Sequence, residues 1–296
     1  MRARGYQAMI LASLFFSLMG VAVRHAKGGF DLPQLVFMRG LVCLVILLPW
    51  AIKNPKLVRG GSRFWLILRA LTGTLAVFGN FYALQSIPLA TATVLNQTSP
   101  LFAVILIWIL FAKKPAWINV LGLAGAFIGV IFVFPIHTDD LQNRLGVLAG
   151  LGSGVCAAFA YISIRRLRFT DVSGVILVWF STISMVLVLP FCFRNPWPEQ
   201  PMLWVWAIAA GLGAYLGQSF LIRSLSYLTA TAGSTAGLLG AVFATFWGWL
   251  LFDEILHWRE GLGMVLIVVC GALPAFFEGN RKVQESPSPF RWQKSK

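Results

Sequence analysis

The sequence predicts an all-α integral membrane protein: ten transmembrane helices, built as two inverted five-helix repeats around a central cavity. Three observations predict it. Of the 296 residues, 58% are hydrophobic and only 11% charged, against about 25% charged in an average soluble chain. The apolar residues gather in runs of the length that crosses a hydrocarbon core about 30 Å thick. The chain also aligns with itself at a shift of 141 residues.

In order, the first run (6–23) follows Arg2 and Arg4 and resembles a signal peptide. Its partner under the shift is a membrane helix, so it is expected to be kept. The second run (33–52) follows Asp31 and carries Arg39; the third (64–84) carries Arg69, Asn80 and Tyr82. The fourth (90–112) holds Asn96-Gln97-Thr98-Ser99-Pro100 near its middle. The fifth and sixth (116–136, 145–164) are nearly free of charge, and so is the seventh (172–193). The eighth (202–224) carries Tyr215, Gln218 and Arg223; the ninth (230–251) is rich in Gly and small hydroxyl residues; the tenth is 260–277. The runs are continuous rather than alternating, which favours helices over a barrel. Residues 278–296, with Pro287 and Pro289, read as a disordered cytoplasmic tail.

Under the 141-residue shift Arg24 falls on Arg165 and Asn54-Pro55 on Asn195-Pro196. Trp65, Trp108 and Trp117 fall on Trp206, Trp249 and Trp258, where chance supplies about 0.25 such matches. Residues 1–141 and 142–277 are therefore expected to be two copies. Five spans is an odd number, so the second copy enters from the opposite side. Halves of that kind can exchange shapes and open a central site to alternate faces; some channels share the plan.

The net charge of +14 does not mark a nucleic-acid binder, because its distribution follows the membrane. With the first residues on one side, that side holds 16 Lys and Arg, the other holds 5, and Arg39, Arg69 and Arg223 lie within spans. The rich side is expected to be cytoplasmic, with both termini there, as in a bacterial-type inner membrane. The basic excess would meet anionic lipid headgroups. Short loops are compatible with a monomer or a weak homodimer.

No catalytic group, cofactor or metal site is expected. The four cysteines lie in apolar runs without CxxC spacing and the three histidines lack zinc spacing. There is no P-loop, and none of the ten acids lies near the centre of a span. The charges inside the spans are all Arg, which stays protonated. Burying one near the bilayer centre costs at least about 2.5–3.5 kcal/mol. Each must snorkel to an interface or meet carbonyls, water or an anionic ligand. Pro100 removes an N–H that the carbonyl of Asn96 would use, which makes a polar hinge that should face protein or a cavity. The candidate substrate-binding residues are Arg39, Arg69, Asn80, Tyr82, Asn96, Gln97, Thr98, Tyr215 and Gln218.

FYALQSIPLATATVLNQTSPLFAVILIWILF (81–111) resembles the drug/metabolite transporter superfamily, EamA type, and GWLLFDEILHWREGLGMVLIVVCG (248–271) resembles its second-copy counterpart. VFMRG (36–40), LRALTGTLAVFGNFYAL (from 68) and IRRLRFTD (from 164) are similar to the branch labelled S-adenosylmethionine, riboflavin or amino-acid-metabolite carriers. The resemblance implies a ten-helix bundle of two inverted repeats with a central cavity and alternating access; the buried Arg without buried acids point to a secondary transporter of a small anionic or zwitterionic metabolite, with a facilitator pore as the alternative. One departure stands out: Lys113 occupies the first-copy place of the acid Glu254.

Overall fold

The structure, a computed structural model, describes residues 2–111, 117–133, 141–167, 169–227, 237, 239–254 and 257–278. Among the described residues every regular element is helical. In chain order these are α1 (Arg2–His25), α2 (Leu32–Lys53), the one-turn α3 (Pro55–Val58), α4 (Arg63–Ser86), α5 (Leu89–Asn96), α6 (Ser99–Phe111), α7 (Trp117–Val133), α8 (Leu141–Leu167), α9 (Ser173–Val188), α10 (Pro201–Tyr227), α11 (Leu239–Phe252) and α12 (Trp258–Glu278). Six of them are long and apolar enough to cross a membrane: α1, α2, α4, α8, α10, and α9 with the 3₁₀ turn that follows it. Shorter apolar helices run through 120–129, 239–252 and 261–270. The expected tail lies outside the described residues beyond Glu278.

Local chemistry sets the helix ends. Asp31 caps α2 in a reciprocal capping box, in which its own N–H donates to Gln34 Oε1 at 3.0 Å. Gly28 and Gly60 take φ of +92° and +72° in the turns before α2 and α4, which only glycine adopts freely. The fourth run is not one kinked helix. It breaks at Gln97-Thr98, and Pro100 falls in the first turn of α6, where a missing N–H costs nothing. The break thus precedes the proline that causes it.

The principal pairings are α1 with α10, α4 with α8, α2 with α9, α7 with α12, α2 with α10, α4 with α9, α1 with α11, α5 and α6 with α8, and α5 with α11. Setting α5 aside, replacing each helix by the one about 141 residues away returns the same set of pairings. Glycines allow the tightest of them. A Cβ at Gly79 of α4 would lie 2.7 Å from the Ala149 carbonyl of α8. A Cβ at Gly213 of α10 would lie 3.0 Å from the Phe15 carbonyl of α1.

The two ends of the bundle are held differently. At one end Glu254 forms an ion pair with Arg24, the carboxylate oxygens accept the Leu89 N–H at 3.0 and 3.1 Å, and Arg24 Nη1 donates to the Ile87 carbonyl at 3.2 Å. Asn195 donates to Asp31 there, and the buried Gln34 amide donates to the carbonyls of Cys192 and Asn195. At the opposite end, about 33 Å along α2, Leu47, Leu66, Ile164, Leu167, Val175, Ile176, Leu177 and Ile222 form an apolar cluster rimmed by Trp50 and Trp65. Across its surface Asp171 accepts the Gly61 N–H at 2.6 Å, and Trp179 Nε1 donates to the Val58 carbonyl at 2.8 Å. These are called below the Glu254 end and the Asp171 end.

Candidate functional site

Between these ends α2 crosses α9, and the crossing carries the chemistry. The Arg39 guanidinium lies 4.6 Å from the centroid of the Phe180 ring. These two residues are 141 apart, so each occupies the other's place in its own half. Arg69 on α4 lies 4.3 Å from the same centroid, which brings the two cations within about 9 Å of each other. Arg69 Nη2 donates to Gln218 Oε1 on α10 at 3.1 Å. Both arginines are only 2% exposed. The Nε and Nη1 of each find no hydrogen-bond acceptor among the described residues.

Magnitudes decide what this arrangement needs. A desolvated cation–π contact is worth about 2 kcal/mol. Mutual repulsion, at a separation of at most about 9 Å and an effective dielectric of about 20, costs at least about 2 kcal/mol, and burial costs at least about 2.5–3.5 kcal/mol for each charge. The ring and one amide do not offset two buried cations. The ion pair of Arg24 with Glu254 lies at the bundle end.

Snorkelling does not describe these arginines. Arg69 lies about 9 Å into α4, yet its guanidinium folds forward over Gly73, toward the middle of the helix. A Cβ at Gly73 would collide with that guanidinium and come within 2.8 Å of the Phe180 ring. Glycine at 73 therefore makes the berth for the charge. Arg223, near the end of α10, is exposed and is the one that reaches outward.

The broken segment forms a second group. Asn96 Nδ2 donates to Ser153 Oγ at 2.9 Å, and Ser153 Oγ in turn donates to the Gly150 carbonyl. Gln97 Nε2 donates to the Gly237 carbonyl at 2.8 Å, an oxygen that also accepts Ser13 Oγ at 3.3 Å. Thr98 Oγ1 donates back to the Leu95 carbonyl at 2.6 Å. These side chains tie α5 to α8 and to the chain at Gly237. Asn80 and Tyr82 are half-buried on α4, and half-buried Tyr215 packs against the cluster of the Asp171 end. The nine candidates thus do not converge on one spot: Arg39, Arg69 and Gln218 do, and the Asn96 group interlocks helices. The side chain of Pro100 lies outside the described residues.

Sequence reading missed Phe180, Gly73 and Tyr161, the last close enough to Arg69 to interact with it electrostatically. It also left Glu254 in a loop without a partner. Phe180 had a signal, since the repeat shift pairs it with Arg39.

A hollow of about 450 Å³ opens at the Glu254 end, lined by Gly28 to Pro33, Phe78 and Gln85. Neither arginine lines it. Phe78 lies about 12 Å down α4 from that end, a depth comparable to the roughly 10 Å of Arg39 along α2. The Asp171 end is packed shut beneath Arg69 by its apolar cluster.

Comparison with known proteins adds three findings. The model of the EamA-like transporter family matches twice, over residues 3–134 and 144–273. The chain is 30% identical to the pseudopaline exporter CntI of Pseudomonas aeruginosa over 91% of this chain and 95% of that one, and 29% identical to an "Uncharacterized transporter" of Helicobacter pylori over 94% and 98%. It is 24% identical to the mouse protein Solute carrier family 35 member G1, over 88% of this chain and 75% of that one. A solved crystal structure shares the fold with a TM-score of 0.65 at 17% identity, covering 94% of this chain and 98% of the other.

Proposed function

The chain belongs to the EamA-like transporter family, and from that premise we propose that it is a secondary transporter in which Arg39 and Arg69, with Gln218, receive the carboxylate of a small anionic or zwitterionic metabolite. That it is a multi-pass membrane transporter of a small molecule follows from its relatives and its apolar helices. The substrate class is the further step. One observation carries it: two arginines, each 2% exposed, rest on one aromatic ring with N–H groups unused among the described residues. An amino acid, or a cofactor-like metabolite with an amino-acid end such as an S-adenosylmethionine-like compound, fits that demand; a riboflavin-like compound would have to offer another acceptor.

Transport is by alternating access between two inverted halves, 1–141 and 142–277, whose ten spans include the shorter helices and the broken fourth one. The double family match and the exchangeable helix pairings support this. The break at Gln97-Thr98 with Pro100 serves as the hinge, and Asn80, Tyr82 and Tyr215 line the path on either side of the arginines. The uneven Lys and Arg count supports an inner-membrane protein with both termini and the Asp171 end in the cytoplasm. A relative named as an exporter supports outward movement. The two halves enclose the arginines between them, so a monomer is complete.

The test is flux into liposomes holding the purified protein. Uptake of an acidic metabolite should saturate and show counterflow, and Arg39→Ala or Arg69→Ala should lower kcat/KM at least about a hundredfold, the loss of a buried charge-assisted contact. Unchanged flux in both variants rejects the arginine site. Ohmic current without counterflow rejects the carrier.

A further inference from the structure

We infer that the substrate of this site is a dianion, a small dicarboxylate whose two carboxylates are held one by Arg39 and one by Arg69. The inference rests on the proposed arginine site and goes beyond it in fixing the substrate's charge.

The argument is one of charge balance in a confined place. Arginine does not give up its proton in proteins, so the crossing of α2 and α9 carries two positive charges. Both guanidinia are 98% buried, by their 2% exposure. Each keeps Nε and Nη1 without an acceptor among the described residues. The polar groups placed nearest are neutral: the Gln218 amide, already accepting from Arg69 Nη2, and the Tyr161 phenol. A monoanion would satisfy one guanidinium and leave the other an uncompensated buried cation, the costly half of a broken pair. A dianion neutralises both and replaces their repulsion with two attractions.

Geometry agrees with the count. The guanidinia lie within about 9 Å of each other, each against Phe180, a spacing that the two ends of a short dicarboxylate can span. Arg69 is held toward the middle of its helix by the space over Gly73, and Gln218 fixes one of its donors. A side of each fork, Nε with Nη1, is left for a planar two-oxygen acceptor, the mode in which guanidinium binds carboxylate most strongly. The apolar ring on which both rest suits the short hydrocarbon link of a dicarboxylate.

The experiment is thermal unfolding of the detergent-purified full-length protein in chloride-free buffer at neutral pH and constant ionic strength. The probes are sodium succinate, sodium glutarate, sodium butyrate and inorganic phosphate. Ligands that bind the folded state raise Tm by mass action. Succinate or glutarate should act at concentrations at least about tenfold below butyrate. In Arg39→Gln and in Arg69→Gln the advantage of the dicarboxylate should fall to within about twofold, while the anion-free Tm stays level or rises because an uncompensated buried charge is gone. Should a Gln variant not fold, Arg39→Lys and Arg69→Lys retain both charges and should keep the dicarboxylate preference with weaker binding.

Equal action of succinate and butyrate on the unmodified protein overturns the dianion and leaves the single-carboxylate site standing. Phosphate matching succinate overturns the dicarboxylate assignment, since then any compact dianion serves. No response to any probe, with flux unchanged in the arginine variants, removes both this inference and the site beneath it.

Discussion

The Glu254 end and the Asp171 end are built to related plans and closed by different physics. Each has a bridge between loops of opposite halves: Asp31 with Asn195 at one, Asp171 with the Gly61 N–H at the other. The Glu254 end adds a largely buried ion pair, side chains 24% and 9% exposed, that staples α1 to the turns before α5 and after α11. The Asp171 end cannot repeat that pair, because the positions 141 residues from Arg24 and Glu254 are both cations, Arg165 and Lys113. It closes instead on the apolar cluster around Leu66 and Ile164. An ionic staple can open when its partner or the salt changes; a packed cluster opens only by exposing or voiding its contacts. The comparison teaches that two ends built to related plans can be closed by unlike physics.

The strongest way to break this comparison is to damage the packed door. Ile164→Ala removes a side chain 1% exposed and should cost about 2–5 kcal/mol through lost contacts and the cavity left behind. Tm should fall, and the Asp171 end should become open to water-soluble thiol reagents at a cysteine placed at Leu177. Glu254→Gln comes next. It leaves Arg24 mostly buried and unpaired, at about 1–3 kcal/mol after allowance for its partial exposure. Labelling of a cysteine at Leu35, 1% exposed, should rise about tenfold or more from the Glu254 side, and the exchange Arg24→Glu with Glu254→Arg should reverse it. If Glu254→Gln instead opens the Asp171 end, the assignment of the two doors is wrong. Raising salt should then open the Glu254 end a few-fold and leave the Asp171 end unmoved, because screening acts on the partly exposed pair and not on packing. Asp31→Ala loses the N-cap of α2 with its loop bridge and should cost about 1–2 kcal/mol; the smallest effect belongs to Asp171→Ala, which removes surface hydrogen bonds and should change stability by about 1 kcal/mol or less.

Much of this was legible in the sequence because membrane helices announce themselves by composition. The apolar runs became helices, and the polar run at Asn96 to Pro100 became a real break. The depth of Arg39 and Arg69 followed from counting residues. Their surroundings did not. Phe180 is one of 24 phenylalanines, and ring stacking leaves no periodic trace. The roles of Asn96 and Gln97 depended on which backbone lay opposite, here Gly150 through Ser153 and Gly237, and hydrophobic patterning does not encode that. Glu254 was hidden by its place in a loop: Asp253 before it takes φ +49°, a left-handed turn that folds the carboxylate back onto α1.

One contact has a consequence for how the two halves came to belong together. Arg39 rests on Phe180, the residue that holds its own position in the other half. Two copies of residues 1–141 assembled as a homodimer would set arginine on arginine at that crossing, a repulsion of about 4 kcal/mol at a separation near 4.6 Å and an effective dielectric of about 20. The single chain escapes by being unlike itself at one point: a positive side chain from one half lies on an aromatic face from the other. The two sides of that crossing are thus not interchangeable, and the charged centre needs partners that differ.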